Sequence, residues 1–293
     1  MKGKIMYNTL IVEPFGWILK FSYNLVGSYG IAIIIFTIIA KLIMLPFQMK
    51  SKKSMMEMNR LQPQLRELER RYKNDKEKYS LEVQKLYKKE GVSVFGGCLP
   101  LLITLPIMIG LYSVVRQPLT HIFNISAEQI SQMAEALRAA GVTAGLTGAA
   151  EKSAYMLEIG VASHLKEYGE ILTGIAPNLA GVDFNFLGID LAAIPNFKYI
   201  TPLWVIPALS GLTGWFSGWL MRRTQPKVSE QAAANNGIMN VMMPLMSVYI
   251  AFVVPAGLGF YWIISNVLTA VQEPLLTVYY KKKAEAKALE GEK

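Results

Sequence analysis

The sequence predicts an all-α polytopic membrane protein with five transmembrane helices and a cytoplasmic helical hairpin. Three observations carry that expectation. Hydrophobic residues make up 52% of the 293 residues and charged residues only 17%, where soluble domains carry about 25%. Mean hydropathy is +0.30. Five apolar stretches, 29–49, 98–116, 199–221, 238–254 and 257–279, have lengths suited to crossing a bilayer, the second and fourth at the short edge.

Charge between these stretches sets an orientation. Residues 50–97 carry 13 Lys/Arg against 7 Asp/Glu, whereas 117–198 carry 4 against 8. Residues 222–237 carry 3 against 1, and 279–293 carry 5 against 3. Basic segments therefore alternate with an acidic one, as the positive-inside rule requires. The N-terminus is expected outside and the C-terminus inside. Segments 50–97, 222–237 and the basic tail 280–293 are then cytoplasmic, and 117–198 is extracytoplasmic.

The first 28 residues contain Pro14-Phe-Gly-Trp-Ile-Leu-Lys-Phe-Ser-Tyr-Asn-Leu25, which suits an amphipathic helix on the outer membrane surface; an extension of the first span is the other reading. The start, with Lys2 and Lys4 and no apolar core before a small-residue cleavage site, is expected not to be a cleaved signal. In segment 50–97, Met55, Met58, Leu61, Leu65, Leu68 and Tyr72 recur at helical spacing, an apolar stripe opposite a charged face. Asn74-Asp75 supplies a turn and cap, Val83, Leu86 and Tyr87 continue the stripe, and Gly91 ends it. The stripe serves a closed two-helix coiled coil or a hairpin that also docks partners. In 117–198, Ser126-Ala-Glu-Gln129 is a capping box. A second helical patch is expected near Glu151–Leu172, with abundant Ala and Gly pointing to mobile helices without a large core.

Composition excludes several chemistries. One cysteine, Cys98, permits no internal disulfide or cysteine metal cluster. His121 and His164 are the only histidines and have no evident ligand partners. Neither a phosphate-binding glycine loop nor a dinucleotide fingerprint occurs. No catalytic residue, metal or cofactor is expected.

The polar residues inside the spans are the informative ones. Lys41 interrupts the apolar run Ile31–Leu45, where a cation costs a few kcal/mol unless it faces protein or water. Thr37, Lys41 and Gln48 share one helix face, as do Trp262, Asn266, Thr269 and Glu273, flanked by Tyr261, Ser265 and Gln272. Ser210, Gly214, Ser217 and Gly218 form a small stripe on the third span, which close helix packing also explains. Snorkelling to the cytoplasmic interface is the alternative for Lys41. Three polar faces point to a shared hydrated cavity. Met239, Met242, Met243 and Met246 crowd the fourth span, as gap-fillers or as an adaptable apolar surface.

Several motifs resemble the YidC/Oxa-type membrane protein insertases. They are Leu61-Gln-Pro63, Lys85-Leu-Tyr-Lys88, Gly96-Gly-Cys-Leu-Pro-Leu-Leu-Ile103, Leu105-Pro-Ile107, Phe184-Asn-Phe-Leu-Gly-Ile-Asp190, Ile206-Pro-Ala-Leu-Ser-Gly-Leu-Thr213, Pro255-Ala-Gly-Leu258 and Tyr261-Trp-Ile-Ile-Ser-Asn266. The resemblance implies a five-helix fold enclosing a hydrophilic groove open to the cytoplasm and to lipid, in the short form common in Gram-positive bacteria. It places the groove cation on Lys41, its aromatic partner on Trp262 and a wall position on Ser217. Thr37, Gln48, Tyr261, Ser265, Asn266 and Thr269 complete the expected client-binding groove. Lysine in the arginine position keeps the charge but lacks the planar fork.

The implied partners are nascent membrane protein clients, anionic lipid, the ribosome and the general secretion channel. Ribosomal RNA or lipid contact is expected at Lys281, Lys282 and Lys283, and location in the bacterial cytoplasmic membrane. A small anion or solute transporter is the rival, but it calls for an internal repeat, and none is evident.

Overall fold

A computed structural model describes residues 8–91, 109–148, 153–224, 242 and 245–291, and the side chains of these residues apart from several beyond Lys283. They are overwhelmingly helical, with one two-residue β-ladder. Two compact units are present. The first comprises Met1–Ala40, Pro106–Thr213 and Pro244–Ser265; the second comprises Lys41–Leu105, Gly214–Met243 and Asn266–Lys293.

In the first unit, a π-helical turn, Asn8–Val12, leads into α1, Glu13–Val26. Glu13 and Pro14 suit a helix start, the acid for the dipole and the proline for its missing N–H. The helix stops at Gly27, whose φ of 66° lets its N–H cap the carbonyl of Tyr23. That left-handed stop separates α1 from the first span and excludes the reading as an extension of it. Phe15, Gly16, Leu19 and Ser22 are buried, while Trp17 and Phe21 stack on each other at 5.6 Å and stay exposed.

Helix α2, Tyr29–Arg60, runs 32 residues without a break. The first apolar stretch and the first half of the expected hairpin helix therefore belong to one helix, and Met55 and Met58 lie on it. Among the described residues it is the one helix with an 18-residue stretch long and apolar enough to cross a membrane, that stretch having mean hydropathy 2.4. The helices over the third and fifth stretches carry more polar residues, which lowers their hydropathy. The second and fourth stretches fall largely outside the described residues, as do Gly96, Cys98, Met239 and Met243.

In the second unit the chain turns at Leu61, which is 1% exposed, and continues as α3, Gln62–Arg71, and α4, Lys76–Lys89. Asp75 caps α4 by accepting from the Lys78 N–H at 3.0 Å. Neither α3 nor α4 has a fully buried residue. Arg60 and Glu90 pair at 3.0 Å across the base of the hairpin.

Residues 109–116 form helix α5, followed by α6, Pro118–His121, and α7, Ala127–Ala139. The capping box at Ser126 and Gln129 is complete. The second helical patch divides into α8, Ala154–Ser163, and α9, Gly169–Ile175. Here the expectation of helices without a core is corrected. Met133, Leu137, Leu146, Val161 and Leu172 are all completely buried, because α8 and α9 both pack on α7. Gly160 sits against the Gly145 backbone with no room for a Cβ. Close packing is thus the role of Gly160, whereas Gly141, Gly148, Gly169 and Gly174 face open space.

The ladder pairs β1, Asn185–Phe186, with β2, Ile189–Asp190. A 3-10 turn, Pro202–Trp204, precedes α10, Val205–Thr224, so the helix starts later than hydropathy suggests. Residues 245–251 form α11. Helix α12, Ala256–Gly291, extends well past the fifth stretch, and the basic tail is its continuation. The starts of the three longest helices meet in the first unit. A Cβ on Gly257 would sit 3.2 Å from the Tyr29 ring, and Gly259 abuts Ile206 at the beginning of α10. The Gly257 N–H also donates to the Leu191 carbonyl at 2.7 Å.

Two buried ionisable groups tie α6 to its neighbours. His121 packs on Gly16 of α1, and burial pushes it down to about 4. Glu158 of α8 is fully buried and accepts from Thr120 N–H at 3.0 Å, Thr120 Oγ1 at 2.6 Å and Gln117 Nε2 at 3.3 Å. Burial raises its pKa against the pull of those hydrogen bonds.

Gly30 in α2 lies against the ring of Phe186, which also meets Phe260 at 5.3 Å. Gly30→Ala gains about 0.5–1 kcal/mol of helix propensity and loses roughly 1–3 kcal/mol to overpacking. A lower thermal midpoint is expected, and an unchanged one would show that Phe186 moves freely. The histidine contributes stability above its unfolded pKa near 6.5, lost as pH falls toward 4, while Glu158 costs stability as pH rises above the ordinary carboxylate range. Relative to wild type, His121→Gln should gain on the order of 1 kcal/mol between pH 7 and 5. Glu158→Gln should gain toward neutral pH. Parallel pH–stability curves for wild type and both variants would refute this assignment.

Candidate functional site

The expected groove residues divide between the two units. Thr37, Tyr261, Trp262 and Ser265 belong to the first, and Lys41, Gln48, Ser217, Asn266 and Thr269 to the second. In the first unit Thr37 is fully buried, and its hydroxyl donates to the Ile33 carbonyl one turn back at 2.6 Å. Its polarity is thus satisfied within its own helix. Tyr261 is 3% exposed and hydrogen-bonded to Ser265, while Trp262 is half-buried.

The second unit contains the polar cluster. Lys41 Nζ donates to Thr269 Oγ1 at 2.7 Å. One face further along α2, Gln48 accepts from Gln272 Nε2. Lys52 then pairs with Glu273 at 2.5 Å, and Tyr280 Oη donates to the Met49 carbonyl at 3.0 Å. From Lys41–Thr269 through Gln48–Gln272 to Met49–Tyr280 the partners advance in the same sense along both helices, so this part of α2 and this part of α12 run parallel. Asn266 lies near α10, where a Cβ on Gly214 would be 3.5 Å from its Nδ2, and Ser217 on the same helix is 9% exposed.

The ion pair is the element that sequence reading missed. Lys52 is 4% exposed although it lies in a basic segment that reads as solvated. Its spacing held the signal: Lys41, Gln48 and Lys52 are separated by seven and four residues and share one helix face. The lysine is buried because Glu273 follows Thr269 by one turn. Pro46 and Pro274 each withhold one backbone donor close to this cluster.

Among the expected hairpin contacts, Leu65, Leu68 and Tyr72 are half-buried. Leu61 is a packing residue at the helix junction. Lys281, Lys282 and Lys283 are exposed on α12. Among the described residues no cluster of three His, Cys, Asp or Glu side chains is arranged to hold a metal.

Glu273→Gln leaves the Lys52 ammonium buried without a countercharge, a loss of about 3 kcal/mol where such a pair is broken from one side. The thermal midpoint should fall, and Lys52→Met with Glu273→Leu should recover most of it. If Glu273→Gln is as stable as wild type, the pair is not a structural tie.

A profile of the 60Kd inner membrane protein family matches residues 21–284. Among similar chains, a Clostridium tetani protein named membrane protein insertase YidC is 28% identical over 284 residues, covering 95% of this chain and 96% of that one. Its namesake from Fusobacterium nucleatum is 28% identical over 268 residues, covering 92% and 95%. That from Cellvibrio japonicus is 30% identical over 273 residues, covering 91% of this chain but only 36% of the relative. This chain thus spans about a third of some relatives and nearly the whole of others. The match runs from α1 into α12, and the chain belongs to the 60Kd inner membrane protein family, that of the YidC/Oxa-type insertases.

Proposed function

We propose that this protein inserts nascent membrane proteins into the bacterial cytoplasmic membrane, without nucleotide hydrolysis, by drawing their short extracytoplasmic tails into a positively charged groove. The observation that carries the proposal is the Lys41 cation, placed within an apolar helix and held by the Thr269 hydroxyl of α12. Gln48, Gln272 and Asn266 share that polar neighbourhood. The Thr269 hydroxyl adds no countercharge and Glu273, one turn on, pairs directly with Lys52, so an acidic tail gains an attraction at Lys41 that lipid denies it.

The parallel course of α2 and α12 favours an odd number of crossings between them, in keeping with five spans, N-terminus outside and C-terminus inside. The client's own apolar segment then partitions into lipid, and its burial drives the transfer. Nascent clients dock first on the hairpin, where α3 and α4 retain partly open apolar side chains. Exposed Lys281, Lys282 and Lys283 offer contacts to anionic lipid or ribosomal RNA. Cooperation with the ribosome and the secretion channel belongs to the same proposal.

Proteoliposomes carrying this protein should insert a single-span client with a short acidic tail. Lys41→Ala should slow insertion roughly tenfold, equivalent to losing about 1.4 kcal/mol of attraction, while Lys41→Arg should retain it. Equal rates for all three would remove the role of Lys41. Failure of folded wild type with several clients would remove the insertase reading.

A further inference from the structure

The first unit carries an apolar surface that the insertion mechanism leaves unused. At the tip of the β-ladder, Leu187 is 86% exposed in a left-handed conformation with φ of 53°. Leucine rarely adopts that backbone, and here its side chain points away from the protein. Nearby, Ile194, Phe197, Tyr199 and Ile200 are 43%, 55%, 60% and 85% exposed. Such a run of large apolar side chains in irregular chain is costly against water.

This segment is held in place by packing. The N–H groups of Ala256 and Gly257, at the start of α12, donate to the carbonyls of Ala193 at 2.8 Å and Leu191 at 2.7 Å. One face of Phe197 stacks on Phe252 at 3.9 Å, and Trp204 meets Phe252 edge-on at 4.9 Å. The Trp204 indole N–H donates to the carbonyls of Asn196 and Tyr199 at 2.9 and 3.0 Å. The chain then enters α10 through the Pro202–Trp204 turn, against which β2 packs. The exposed side chains therefore sit at the level where α2, α10 and α12 begin. Lys198, 5.5 Å from the Tyr199 ring, supplies a cation beside the aromatics. Aromatic rings with a snorkelling lysine are the composition of a membrane–water boundary.

We propose that Leu187 and the Ile194–Ile200 segment form an apolar fin buried in the headgroup–acyl boundary of the outer leaflet, with Lys198 reaching a lipid phosphate. The fin fixes the depth of the external end of the three long helices. The occupant is lipid because the segment is continuous with helices that enter the bilayer. The inference rests on the membrane topology proposed above.

Single-cysteine variants in a Cys98→Ser background separate the two. Leu187→Cys, Ile200→Cys, the aqueous reference Glu128→Cys and the span reference Ile38→Cys each carry an environment-sensitive fluorophore in proteoliposomes. Brominated lipid should quench the probes at 187 and 200 several-fold more than that at 128, and iodide should quench them several-fold less. Iodide quenching equal to that at 128 overturns the fin. Protection from iodide without quenching by brominated lipid also overturns it, showing that protein covers the surface. Lack of lipid quenching at 38 instead overturns the topology on which the fin rests.

Discussion

A lysine in the apolar part of a long helix constrains everything packed around it. Its ammonium has three donors and no acceptor, and lipid has nothing to offer them. Lys41 meets this requirement through Thr269, which obliges α12 to bring its polar face to α2. That alignment also opposes Gln48 to Gln272, Lys52 to Glu273 and the Met49 carbonyl to Tyr280. Satisfying one cation thus fixes the relative direction and register of two long helices over several turns. The choice of a neutral partner for Lys41 and an acid for Lys52 separates the two lysines chemically. Glu273 pairs directly with Lys52 and acts on Lys41 only as a more distant charge.

The part of the chain between α5 and α10 follows a different logic. Its helices are short and rich in small residues, and their stability comes from tertiary burial more than from helix propensity. Leu137, Leu146, Val161 and Leu172 form a dry core, with Glu158 buried beside it and satisfied by three donors. Small residues allow these helices to approach closely, as Gly160 does at Gly145. The same device operates at Gly30 against the Phe186 ring and at Gly259 against the Ile206 side chain, and Gly257 packs tightly on Tyr29 and the Leu191 carbonyl.

Local signals in the sequence translated directly into local structure. The capping box at Ser126, the Asp75 cap and the helical stripe through Leu65 and Leu68 depend on neighbours in the chain, so short-range chemistry determines them. The polar face of the fifth stretch was legible from spacing alone. Long-range decisions were not legible in the same way. Lys52 looks solvated by its basic neighbours, and only its distant partner Glu273 explains its burial. Thr37 looks like a groove donor by spacing, yet its hydroxyl closes on its own helix.

By itself the sequence determined the all-helical character, the helix stops, the polarity of the faces and the presence of a cation in an apolar helix. Each follows from hydrophobic periodicity and from the backbone preferences of single residues, which act over a few positions. Only the tertiary structure decided that Lys41 meets Thr269, that Lys52 pairs with Glu273, that α7, α8 and α9 share a core and that α2 continues without a break to Arg60. The two lysine pairings depend on which donor finds which acceptor across more than two hundred residues, and the core on which apolar faces meet, matching problems that local pattern leaves open.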